Sequence, residues 1–284
     1  MSKSHKDLDP NNDQNVYVDD LTDEEITQCL GRKLVGGDPG KESLIYLMDS
    51  DKKKLRYTSS QRRVESHQQR CREITMREKI KNHIQEEERV LSGYNCQTVD
   101  YLQFKEYIKF KTLLNDKVKP FYQQELYRKM KWRVYIDRRR SEDQFLNRIE
   151  STYGKCSDIM ICYGNWSQSQ QMKHLMPTLG VGLRRIIQKR FDLVLVDEWG
   201  SSKYCNQCHH ELKHHKNLYR VLVCPECQNS GLEIKKTCFF NRDSNACMNM
   251  VYLSREWLQH RTRPYPYNRI IDPDLVRGKP VCQS

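Results

Sequence analysis

The sequence predicts an α/β fold: a mixed central sheet flanked by helices, with a helical insertion and an inserted four-cysteine element. Three observations predict it. Short β-rich runs open the chain and recur around residues 157–164 and 191–198, residues 61–150 between them read as helix, and two C-x-x-C pairs fall between the last strand and a final helix. Three strands, then helices, then strand–helix–strand and a closing helix is the order of an α/β domain with a mixed sheet.

Charge bounds the partners. The 284 residues carry a net charge of +12, unevenly spread: residues 1–30 hold eight acids and two bases, and the rest hold 29 acids and 47 bases. The first thirty residues therefore read as an acidic, flexible leader. A body this basic suits a polyphosphate such as DNA, because Lys and Arg displace counterions from the backbone; the plainer alternative is a solvated basic surface. No apolar run approaches the roughly eighteen residues that span a bilayer, and the N-terminus lacks a signal-peptide core. The expectation is an intracellular, nuclear protein with no membrane segment. Of the twelve cysteines, four form the two pairs and eight are scattered, the usage of a reducing compartment with one metal site.

The elements follow in order. Residues 31–60 begin the sheet, with "LVGGDPG", "SLIYLMD" and "LRYTS" as strands and "DPG" and "DSDKKK" as turns. Residues 61–155 form a helical flank. Val64, Ile74, Ile80 and Ile84, then Leu102, Phe104, Ile108, Leu113 and Leu114, fit helical faces. Two long helices broken near "SGYN" (92–95) are expected, then a third through 138–154, with basic outer faces that are either solvated or set against a duplex. Residues 156–203 return to the sheet through "SDIMICYG" (157–164), a helix over 174–191, and the strand "DLVLVDEW". Residues 204–238 hold the cysteine pairs, 239–260 the closing helix, and 261–284 a tail.

Cys205-x2-Cys208-x15-Cys224-x2-Cys227 has the spacing of a four-thiolate zinc ribbon. Each pair makes a knuckle that aims two sulfurs at one ion, and "YRVLV" (219–223) makes a hairpin strand leading into the second. His209, His210, His214 and His215 lie between the knuckles and read as a polar, partly cationic tip rather than as ligands. Such an element is structural and grips nucleic acid.

Three acids stand where strand or helix ends place them in one cleft. Asp38 follows the strand "LVGG", whose glycines permit close approach of another backbone or a phosphate. Asp197 or Glu198 ends the fifth strand, where an unpartnered acid is costly. Asp243 begins the closing helix. Singly, each has an ordinary reading as a turn, strand-end or helix N-terminal acid. Together they match the ribonuclease-H-like plan, in which a three-strand meander carries the first acid, a later strand the second and a C-terminal helix the third.

"GGDPG" resembles the first motif of RuvC-type nucleases in transposon-associated TnpB proteins, and "DEWGSSKYCNQC…CPEC…NRDSNACMN" resembles their closing block. "WRVYIDRRRSEDQFLNRI", "ICYGNWS" and "RTRPYPYNR" look like segments of Fanzor, the eukaryotic and viral relatives, across roughly residues 33–269. The resemblance implies a RuvC-like domain with an inserted zinc ribbon. It implies an RNA-guided DNA endonuclease in which Asp38, Glu198 and Asp243 hold Mg²⁺ or Mn²⁺ and the four cysteines hold Zn²⁺. Arg242 and Lys203 would contact nucleic acid. The strand over 159–164 offers Gly164 where the bacterial proteins carry the second acid; in Fanzor that glutamate is relocated, which selects Glu198 over Asp197. Full-length relatives also carry recognition and wedge lobes ahead of the nuclease domain, so guide RNA is expected as a partner only if such lobes are supplied. The competing function is a catalytically idle protein, truncated or domesticated, that binds nucleic acid through its ribbon and basic helices. A zinc-stabilised interaction module without nucleic acid fits the basic body poorly.

Overall fold

The computed structural model describes residues 16–165, 179–229 and 239–268. Along the chain the helices are α1 (Asp23–Cys29), α2 (Ser59–Glu65), α3 (Gln68–Lys81), α4 (Ile84–Leu91), α5 (Tyr101–Tyr122), α6 (Glu125–Tyr153), α7 (Gly180–Gln188), α8 (Pro225–Asn229) and α9 (Arg242–His260). Two compact units divide them: residues 1–58 with 146–284, and residues 59–145.

The first unit is built on five strands, β1 (Lys33–Pro39), β2 (Ser43–Asp49), β3 (Lys54–Thr58), β4 (Ile159–Gly164) and β5 (Leu193–Val196), in the order β3-β2-β1-β4-β5. β1, β2 and β3 run antiparallel, as a meander must, while β4 lies parallel to both β1 and β5. Every residue of β2 and of β4 is buried, which is why these segments read as continuous apolar runs rather than alternating ones. The fold is mixed α/β with the ribonuclease-H-like strand order, as the sequence predicts. Asp38 lies within β1, opposite Tyr46, rather than after it. The fifth strand stops at Val196, so Asp197 and Glu198 stand just beyond its end.

α9 closes the sheet. Asn241 caps it by accepting from the Ser244 amide at 3.1 Å. Its inner face puts Ala246, Met250, Val251, Leu253 and Leu258 into a core shared with Leu34, Met160, Cys162, Val194 and Val196. The helix comes so close to β1 that a Cβ on Gly36 would sit 2.1 Å from the Cys247 carbonyl oxygen. That contact is what the first glycine of "GGD" permits.

Residues 16–30 depart from the flexible leader expected for 1–30. Val18 and Ile26 are buried in the same core, the Val16 carbonyl accepts from the Leu195 amide at 2.9 Å, and Thr22 and Glu25 form a capping box at the start of α1. Two well-placed apolar residues suffice to seat a segment that is acidic on average. Residues 1–15 lie outside the described residues, as do 166–178, including the start of the helix expected from 174, and 230–238 and 269–284.

A three-stranded sheet, β6 (Lys213–His215), β7 (Leu218–Val223) and β8 (Phe239–Asn241), carries the cysteine element and runs directly into α9.

The second unit is helical, with the first expected helix broken into three pieces and the last one starting early. His67 and His83 adopt left-handed φ of 54° and 57°, ending one helix before α3 and another before α4. α5 ends at Tyr122, two residues after the internal Pro120 that cannot donate to the helix ladder. α6 then begins at Glu125, well ahead of the expected 138. The unit is held by a small core of Ile84, Phe121 and Tyr127, and by ion pairs such as Lys79–Glu88 and Arg62–Glu142, both 2.7 Å. Among the described residues no helix is long and apolar enough to cross a membrane.

Candidate functional site

β1, β4 and β5 are parallel, so their C-terminal ends open on one side of the sheet, where open α/β sheets place their ligands. Asp38 lies near that end of β1, Gly164 ends β4, Glu198 follows β5, and Asp243 occupies the first turn of α9. The structure thus brings the three predicted acids to one cleft. Gly164 shows how. A Cβ there would stand 2.5 Å from Glu198 Oε2 and 3.1 Å from Pro39 Cδ, so the Glu198 carboxylate fills the space that a side chain on β4 would take.

Asp197 faces elsewhere. Its carboxylate accepts from the Trp199 amide at 3.1 Å and lies 3.8 Å from Arg263, whose guanidinium also donates to the Asp197 and Tyr267 carbonyls. Within the segment "RTRPYPYNR", residues 261–268 act as a clamp: Arg263 takes Asp197, and Tyr267 is fully buried with its hydroxyl donating to Asn249 Oδ1 at 2.9 Å. Adjacent acids end up in different environments.

The cleft is electrostatically loaded. Burial, reinforced by the negative charges of Glu198 and Asp243, pushes the Asp38 carboxyl well above its ordinary range, and Arg242 and Arg220 oppose the shift. Arg220 was not singled out by the sequence, where it is one more cation in a basic chain. It sits on β7 and reaches out of the ribbon, 3.5 Å from Asp243 and 2.6 Å from Glu42 in the β1–β2 turn. Arg242 donates to the Tyr219 hydroxyl at 2.6 Å and lies over that ring at 5.1 Å. Lys203 is engaged at the base of the ribbon, 3.3 Å from Glu211 and over the Tyr204 ring. A hydrogen bond of 2.8 Å between Tyr46 and Ser244 pins the start of α9 to β2.

Among the described residues, the four cysteines are the only group of three or more His, Cys, Asp or Glu ligand atoms lying within 4.8 Å of one another. The three carboxylates are more widely spread than a one-ion cage. Their oxygens repel one another, and Arg220 draws on Asp243. The donor set nonetheless suits hard divalent ions: carboxylate oxygens only, one of them desolvated. Two ions about 4 Å apart need a broader ring of ligands than one ion does.

The cysteines form a group suited to zinc. Cys205–Cys227, Cys208–Cys224 and Cys208–Cys227 sulfurs stand 3.8, 3.3 and 3.5 Å apart. Sulfurs around a tetrahedral zinc at about 2.3 Å would stand about 3.8 Å apart. The Gln207 and Cys227 amides point at the Cys205 and Cys224 sulfurs, both at 3.4 Å, which makes each C-x-x-C a knuckle. Burial pushes the Cys205 thiol up to about 11, so a cation is needed to ionise it at neutral pH. None of the histidines joins the group. His214 and His215 are exposed on β6, but His209 is a correction to the expected tip: it stacks on Tyr252 at 4.5 Å and lies 3.1 Å from the Tyr267 hydroxyl.

Two further residues lie in the closing block "NRDSNACMN", but the sequence reading gave them no role. Asn245 and Asn249, one turn apart on α9, each donate to the carbonyls of Ser201 and Tyr204 at 2.7 to 3.1 Å. Asn245 also accepts from the Asn206 amide at 3.0 Å. The loop between Glu198 and the first knuckle is thus held by two buried amides. Asparagines at i and i+4 on an otherwise apolar face were the available signal.

No family model matches the sequence, and no curated protein matches it. Among solved structures, the mini RNA-guided endonuclease CRISPR-Cas_phi3 is similar to this chain with a TM-score of 0.50 and 11% identity, covering 84% of this chain and 46% of that one. A cryo-EM structure of the Cas12f1–sgRNA–target DNA complex gives a TM-score of 0.36 and 14% identity, over 77% of this chain and 38% of that one. The chain spans less than half the length of either. At this identity the first likeness speaks to the fold, and it agrees with the ribonuclease-H-like strand order seen here.

Proposed function

We propose that the chain carries a RuvC-type, divalent-metal-dependent DNA endonuclease centre, related to the transposon-associated TnpB and Fanzor nucleases. Guide RNA would be engaged where recognition lobes are supplied. One observation carries the proposal: Asp38, Glu198 and Asp243 meet at the open end of the sheet, and Gly164 leaves the space that Glu198 fills. The motif likeness and the fold shared with an RNA-guided endonuclease support it.

Asp38, Glu198 and Asp243 would hold Mg²⁺ or Mn²⁺, with the desolvated Asp38 facing both neighbours. Bound there, the ions would activate water and stabilise the leaving 3′ oxygen of a phosphodiester. The protein supplies the rest. Arg220, held by Glu42 at 2.6 Å and 3.5 Å from Asp243, would offer its guanidinium to the phosphate oxygens, and Arg242, braced on Tyr219, would offer a second fork. Both arginines are positioned by the ribbon sheet or its junction with α9, which ties zinc to the cleft. The buried asparagines fix the loop that presents Glu198.

Incubation of the zinc-loaded protein with single- and double-stranded DNA and Mg²⁺ or Mn²⁺ tests the reading. Cleavage that falls by about a hundredfold or more in Asp38→Asn, Glu198→Gln and Asp243→Asn, with zinc retained, supports it. DNA binding with no metal-dependent cleavage in the wild type would leave the idle, nucleic-acid-binding protein as the function.

A further inference from the structure

The helical unit carries a surface that neither the acid cleft nor the ribbon uses. Over residues 128–140 of α6 there are seven Lys or Arg and one acid. Trp132 and Tyr135 are three residues apart and so share a face; they are 63% and 37% exposed, on a helix whose other aromatic positions are turned inward at Tyr127, Phe145 and Tyr153. Their rings stack at 5.5 Å and 24°. Arg139 and Arg138 lie over the Tyr135 ring at 5.1 and 5.9 Å.

The cations on this helix are not alike. Arg133 and Arg140 are drawn to Asp137, at 3.6 and 3.3 Å, and Arg128 and Lys129 to Glu125, at 3.6 and 3.2 Å. Lys131, Arg138 and Arg139 have no carboxylate within 4 Å among the described residues, and they flank the ring pair. Helical spacing places Arg128, Lys131, Trp132, Tyr135, Arg138 and Arg139 on one stripe. Solvation alone accounts for lysines and arginines there. It does not account for an exposed tryptophan held against a tyrosine, which costs apolar hydration and ring freedom.

We propose that this stripe is a stacking platform for single-stranded nucleic acid. An unpaired base would lie on the Trp132 indole, and the flanking phosphates would be met by Lys131, Arg138 and Arg139. Stacking on aromatic rings and guanidinium planes, combined with a cationic track, is how unpaired strands are held without sequence preference. Duplex recognition needs the charges but has no use for the rings, because paired bases hide their faces. The three unpaired cations match phosphates, and cations already tilted over an aromatic ring form one continuous π-rich surface. RNA and DNA share this chemistry.

The proposal rests on the chain being a nucleic-acid protein but on residues remote in sequence from Asp38, Glu198 and Asp243, so the two fail separately. Full-length, zinc-loaded protein with no added Mg²⁺ is titrated against labelled oligo(dT), oligo(rU) and a mixed-sequence DNA duplex, with polyglutamate as competitor. Trp132→Ala and Tyr135→Ala are each expected to weaken single-strand binding about tenfold, and Trp132→Phe about threefold or less, with duplex affinity unchanged. Trp132 is one of four tryptophans, and fluorescence quenching on strand addition should be lost in Trp132→Phe even where affinity is kept. Loss in one oligonucleotide arm alone assigns the platform to RNA or to DNA. Equal affinities of wild type and Trp132→Ala in both arms, with zinc content and circular dichroism unchanged, overturn the proposal. So does competition by polyglutamate that depends on Trp132, which would mean an acidic protein partner. Failure of the wild type to bind any oligonucleotide overturns this proposal and leaves the cleavage assay with Mg²⁺ or Mn²⁺ to decide the proposed function.

Discussion

Gly164 and Glu198 act as one unit: the side chain missing from one strand is what lets the carboxylate of the next strand reach the cleft. A methyl group at residue 164 must displace something, and the nearest atom is the far end of a flexible side chain. Gly164→Ala is therefore expected to keep the fold while pushing the Glu198 carboxylate aside. Metal-dependent cleavage should fall by about a hundredfold, the loss expected from a misplacement near 1 Å, with little change in thermal midpoint. A midpoint that collapses with the activity would mean that Pro39, the other close neighbour, is what yields. Asp38 gives a test with a pH sign. Its folded pKa is raised by burial and by Glu198 and Asp243, so the stability tied to it is present when protonated and lost as pH rises through that value. In zinc-loaded protein without added Mg²⁺ or Mn²⁺, Asp38→Asn should be more stable than wild type at alkaline pH, and the gap should close as the buffer is acidified. A gap that widens toward acid would contradict the charge repulsion argued for the cleft.

At the scale of elements, α9 does most of the organising. It reaches β1 through Gly36, β2 through Tyr46 and Ser244, and the ribbon base through Asn245 and Asn249. Replacing Asn245 with Ala leaves the half-buried Asn206 amide without its acceptor and the Ser201 and Tyr204 carbonyls to Asn249 alone, so it should cost about 1–3 kcal/mol and loosen the loop from Glu198 to Cys205. Hydrogen exchange of the Asn206 amide checks it: unchanged protection would mean that Asn249 alone holds the loop. Gly36→Ala is the harsher change, because the atom it meets is the Cys247 backbone. A loss of about 1–3 kcal/mol or more in denaturant unfolding is expected. The sequence made the strands and the closing helix legible, since β2 and β4 are buried on both faces and their apolar runs are unbroken. It did not reveal the helix breaks at His67 and His83, because left-handed histidines have no composition signature. Nor did it reveal α1, whose single buried residue, Ile26, is outnumbered by acids.

Across the whole molecule, charge and metal are the controlling quantities. The four sulfurs were legible from spacing alone, because a zinc ribbon needs only two knuckles at a suitable interval. The three acids were legible only as a set, since each has an ordinary local reading. Arg220 was not legible at all: it becomes a cleft residue only through the pairing of β7 with β8 and the turn that carries Glu42. Stripping zinc should therefore disturb more than the ribbon. Chelation, or Cys205→Ser, is expected to release Arg220 and Arg242 from the cleft and steepen the metal concentration needed for cleavage, with the second unit's helical content unchanged by circular dichroism. Cleavage that survives full zinc loss unaltered would separate the ribbon from the cleft.

A divalent-metal site shared by Asp38, Glu198 and Asp243 is what the proposed function requires. Crystals of the zinc-loaded protein soaked in Mn²⁺, measured at the manganese edge, test it most directly. Anomalous density bounded by these three carboxylates is expected, with Asp197 still on Arg263, and it should vanish in Glu198→Gln. No manganese between them at saturating concentration, or manganese held without Glu198, would contradict it.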